Sequence, residues 1–118
     1  MTDIVRAAFT DEWSAAADAR RVGDLDRTFR HLERAHVLGQ QRTLLHVRAH
    51  LAMLAIGWMR RDRREVAAQL PRIVAAALFS RLWVPSGNTG GANVGAFTRL
   101  PLPDGLAVIL DADRRRRS

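Results

Sequence analysis

The sequence predicts an all-α protein of four or five helices arranged as antiparallel hairpins, with a glycine-rich loop and a short C-terminal helix. Three observations carry this expectation. Apolar residues recur at spacings of three and four along the N-terminal two thirds. Glycine and aspartate fall where one helix must stop and the next begin. After Trp83 the composition turns abruptly to glycine, proline and asparagine.

The elements follow in order. EWSAAADARRV is rich in alanine and ends at Gly23, a residue suited to the left-handed position after a helix, and Asp24 can then cap the next helix. That second helix, about Leu25 to Leu38, sets Leu25, Phe29, Leu32 and His36 on one stripe before Gly39 ends it. The third, capped by Thr43 and running to about Arg61, is apolar around most of its circumference, which marks it as central. The fourth starts near Asp62 and keeps Val66, Leu70, Ile73, Val74, Ala77 and Leu78 in phase through Pro71, so a kink is expected there instead of a stop. Pro85 to Phe97 cannot be regular structure, and Asn88, Thr89 and Asn93 are expected to tie it into a compact loop that covers an open side of the bundle. LAVILDADRRRR, with Asp104 ahead of it and arginines at its end, suits a short helix by dipole logic. The helix–turn–helix unit recurs at Gly23-Asp24 and Arg61-Asp62, and Trp13, Ala17 and Gly23 resemble the pattern of tetratricopeptide-like repeats. One helical domain over 1–113 and a disordered basic tail over 114–118 complete the plan.

Composition narrows the chemistry. At 118 residues and 47% hydrophobic content the chain can close one core. Cysteine is absent, so disulfides, thiolate ligands and thiol nucleophiles are excluded, and any metal must rest on imidazole and carboxylate. The net charge of +7 is unevenly placed: Arg114 to Arg117 carry four of nineteen basic residues, and without them fifteen face twelve acids, an ordinary +3. Every basic residue is arginine. No aromatic residues interleave the arginine run, and Trp13, Trp58 and Trp83 are expected in the core or an interface, so a nucleic-acid partner is not expected. No signal pattern and no apolar run of roughly 20 residues is present, and a cytoplasmic protein is expected. GNTGGANVG lacks both the preceding strand and the lysine of a nucleotide-binding loop.

GDLDRTFRHLERAHVLGQ (23–40), HVRAH (46–50), RDRREV (61–66) and VPSGNTGGANV (84–94) together resemble an uncharacterised family of small bacterial proteins classed as a domain of unknown function. The likeness spans Phe9 to Leu110, with NTGGANV as its most specific part. It implies a single complete domain and carries no activity to transfer.

All four histidines, His31, His36, His46 and His50, fall within twenty positions. His46 and His50 project from one face of the third helix, joined there by Met53 and Gly57. Glu33 and His36 have the Glu-x-x-His spacing of helical-bundle iron and manganese sites. A hairpin centred between Gln40 and Gln41 sets His36 beside Leu45 and His46, and His50 beside His31 and Leu32, with Glu33 between these levels. A divalent transition metal held by Glu33, His36, His46 and His50 is therefore expected, with zinc, iron or manganese all compatible. Four ligands would make a closed structural site; three, with Glu33 as a base, would leave room for hydrolysis or oxygen chemistry, and the sequence leaves both open. His31 points away from the apolar stripe and is expected in solvent, while Glu12 and Glu65 are reserve ligands near helix starts. The competing expectation is a non-catalytic interaction module that uses its hairpins to self-associate or to hold an acidic protein partner.

Overall fold

The computed structural model describes residues 3–79, 88–92, 94–95 and 98–117. Among these, five helices account for all regular structure: α1 (Ile4–Arg21), α2 (Leu25–Gly39), α3 (Thr43–Met59), α4 (Arg63–Phe79) and α5 (Leu106–Arg117). α1 packs on α2 and α3 on α4 as two hairpins, α2 against α3 joins them, and α5 lies on α1 and α2. The all-α hairpin plan of the sequence is what the chain adopts. No described helix is long and apolar enough to cross a membrane.

Punctuation works locally. Gly23 takes φ 78°, and the Asp24 side chain accepts from Arg27 N at 3.0 Å, an N-cap worth about 1 kcal/mol. Asp62 does the same for α4 by accepting from Glu65 N at 3.0 Å. Thr43 is not a cap: Arg42 holds that position and caps with no side-chain bond. Arg42 instead turns its guanidinium to Asp3, ahead of α1, and to Asp113 of α5, so one side chain ties three helices. Gly39 serves packing more than termination. A Cβ there would stand 2.8 Å from that of Leu45, so only glycine lets α2 approach α3 this closely.

The core runs along the α1–α2–α3 contact. Ala16, Phe29, Leu32, Met53 and Ile56 form one buried cluster, and Phe9, Ala35, Leu45 and Ala49 form a second, with Trp13 packed on both. Leu106 of α5 closes a third with Val37 and Leu38. α4 continues through Pro71. Trp58 is 75% exposed, which leaves an interface as its expected place, and α5 runs on through Arg114 to Arg117. Trp83, Pro85, Asn93 and Phe97 lie outside the described residues.

Candidate metal centre

His36 of α2 and His46 and His50 of α3 are buried at 2%, 7% and 3% exposure, polar residues in an interior where polar groups need partners. Their Nε2 atoms converge on one point: 3.0 Å from His36 to His46, 3.1 Å from His36 to His50 and 3.1 Å from His50 to His46. Among the described residues, they are the histidine and acid side chains whose ligand atoms come together in one group.

The opposite side of each ring settles where its proton sits. His36 Nδ1 is 2.9 Å from the carbonyl oxygen of Asn88 and His50 Nδ1 is 2.6 Å from Gln69 Oε1. Both oxygens can only accept, so both Nδ1 atoms donate. The orientation of the Gln69 amide is fixed in turn, because its Nε2 donates to Glu65 Oε2 at 2.6 Å and to the Gly90 carbonyl at 2.9 Å. His46 is bonded to the backbone of Gln40 in the sense that favours a ring proton, which makes that carbonyl its acceptor. A neutral imidazole carries one proton. With all three spent on carbonyl oxygens, three Nε2 lone pairs face one another with no hydrogen between them.

Protonation does not relieve this. Burial, together with repulsion between the rings, holds His36 well below the usual histidine range. Burial and the His50 charge push His46 down to about 3. Burial, opposed by the Gln69 bond and aided by Arg72, pushes His50 down to about 4. The resting cluster is neutral and rich in lone pairs, the electronic state that metal coordination requires.

The glycine-rich loop covers the cluster. Gly90 sits so close to His36 that a Cβ would stand 2.8 Å from the ring, and its φ of 85° also favours glycine. Asn88 Oδ1 accepts from Gly90 N at 2.9 Å, and Asn88 Nδ2 donates to the carbonyls of Gly95 and Thr98 at 2.7 Å each. The self-tied loop expected from Asn88 is present. α4 clamps it from below: Glu65 accepts from Ala92 N, Gln69 reaches Gly90, and Arg72 donates to the Val94 carbonyl at 2.7 Å.

Three of the four expected ligands thus meet, and Glu33 stands apart. Gly39, which should face Arg42 in the expected register, faces Leu45, so His36 enters the gap between His46 and His50 and Glu33 moves beyond them. Its carboxyl bonds the Thr89 side chain and lines a surface cavity of about 370 Å³ with Arg60 and Glu65; burial, with the Glu65 charge, raises its pKa. His31 is not merely solvated. Its Nδ1 pairs with Glu12 Oε2 at 2.8 Å, and Arg34 Nε donates to Glu12 Oε1 at 2.7 Å. Glu65, a reserve ligand by sequence, acts instead on Gln69 and Ala92. Gln69 and the carbonyls of Asn88 and Gln40 were missed. The available signal was the polar stripe Glu65, Gln69, Arg72, set at helical spacing within an otherwise apolar segment.

Fold and site together define a small helical protein with a buried three-histidine cluster able to hold a metal ion. The chain belongs to the family described as protein of unknown function (DUF3703), which matches residues 3–110. No curated protein and no solved structure matches it.

Proposed function

We propose that the protein binds one divalent transition-metal ion through Nε2 of His36, His46 and His50. One observation carries this reading: each ring is hydrogen-bonded to an oxygen acceptor on its far side, leaving three unprotonated nitrogens about one bond length from a common point. Hydrogen bonds alone would require a proton between at least one pair of these nitrogens, and none is left to provide it. An all-imidazole donor set favours zinc or ferrous iron over manganese, which prefers carboxylate and water. Glu33, one helical turn from His36, is not among the converging ligand atoms and bonds Thr89 instead. Untagged protein should carry about one equivalent of metal and melt at a lower temperature once a chelator removes it. A metal-free protein that declines zinc and ferrous iron alike would defeat the proposal.

A second reading, an interaction module, draws on Leu70, Val74 and Leu78, a four-residue stripe of α4 with 55%, 59% and 65% exposure. Such a stripe suits an apolar partner surface more than an acidic one. Concentration-dependent sedimentation that Val74→Glu abolishes would support it; a monomer at every concentration, with no bound protein, would not.

A further inference from the structure

Three rings supply only one side of a metal's surroundings. The Nε2 triangle has edges of 3.0, 3.1 and 3.1 Å. An ion in its plane would lie about 1.8 Å from each nitrogen, too near for zinc–imidazole bonds of about 2.0–2.1 Å, so it must sit about 1 Å to one side. All three bonds then fall in one hemisphere, and the other needs ligands. The chain has few to send. It contains four histidines, twelve acids and no cysteine, all of the first two among the described residues, and only the three histidines share a ligand group. His31 is engaged by Glu12.

Charge points to what fills the gap. Three neutral imidazoles leave a dication its full charge in a buried place, where uncompensated charge is costly. Half-buried Arg72, held by the Gly90 and Val94 carbonyls of the covering loop, adds positive potential that both His36 and His50 feel. The Glu65 carboxylate acts on Arg72 and keeps its oxygens on Gln69 and Ala92 N, outside the converging ligand atoms. Size is limited by the same loop, since the rings are at most 7% exposed beneath it.

Resting on the metal reading above, we propose that the open face of the ion takes a small exogenous anion of a few atoms, making this an exchange-competent centre and not a closed structural one. Full-length, untagged protein loaded with cobalt(II) tests it, because visible cobalt bands report coordination number and ligand type. Azide and cyanate should each shift the bands saturably, with half-saturation in the millimolar range, and phosphate should leave them unchanged. Bound cobalt whose spectrum ignores azide and cyanate overturns the open face while leaving the metal site intact. A phosphate response equal to that of azide overturns the size limit. Failure to take up cobalt or zinc at all overturns both this inference and the reading beneath it.

Discussion

Two histidine neighbourhoods lie on α2 within five residues of each other, and they solve the same problem in opposite ways. His31 meets a carboxylate: Glu12 takes its Nδ1 on one oxygen and Arg34 on the other, at the partly exposed α1–α2 seam. Burial would raise the Glu12 pKa, but the bonds from Arg34 and His31 outweigh it and hold the group low. His36 meets two more imidazoles and no acid. The first arrangement is complete as it stands, a carboxylate with a donor on each oxygen. The second is complete only on its far side. A ligand site is thus recognised less by having histidines than by where their protons have been sent.

The contrast can be broken by substitution, and the largest effect should come from the ligands. His50→Ala or His46→Ala is expected to abolish stoichiometric metal binding, whereas His31→Ala should retain it, as read by metal content after dialysis. Equal losses from all three would erase the distinction.

Acid comes next. The folded pKa values of His46 and His50 are lowered, to about 3 and about 4, from an ordinary 6.5. Above pH 6.5 neither state binds the proton and the fold keeps its full stability. As pH falls below 6.5 the unfolded chain takes up protons that the native rings refuse, so stability drops progressively until the folded values are reached. His50 alone accounts for a loss on the order of 3 kcal/mol across that window. Urea melts of metal-free protein between pH 7 and about 4.5 should show the decline, and a flat profile would contradict the buried neutral rings. Removing the orienting bond is milder. Gln69→Leu leaves His50 Nδ1 without its acceptor and should weaken metal affinity by about 10- to 100-fold without abolishing it, measured by competition with a chromophoric chelator. Least of all, Glu12→Gln should cost no more than about 1 kcal/mol in thermal stability and leave metal affinity unchanged.

Much of this was legible in the residues, for local reasons. Gly23-Asp24 and Asp62 carry their own stop and start signals, and His46 and His50 share a helix face by spacing alone. What failed needed tertiary information. Glu33 was assigned through a hairpin register, and that register turns on the closeness of Gly39 to Leu45, which no spacing rule reports. Gln69 looks like any helical glutamine until Glu65 and Gly90 fix its amide. Thr43 has a capping side chain but lies one residue too late. The arginine run reads as solvated, and Arg114, Arg115 and Arg116 are exposed on α5, with Arg114 paired to Asp111 one turn earlier. The loop's composition announced a cover; its contact with His36 depended on a strand of chain more than fifty positions distant.

That distance has a consequence for assembly. His36, His46 and His50 sit in one short hairpin that can collapse as soon as it is made, but the oxygen that selects the His36 tautomer is brought by Asn88, after α4 has been laid down. A nascent chain halted before that residue would own all three nitrogens without controlling them. Control of all three ring tautomers would then be a late acquisition, reached by the finished molecule and absent from the emerging one.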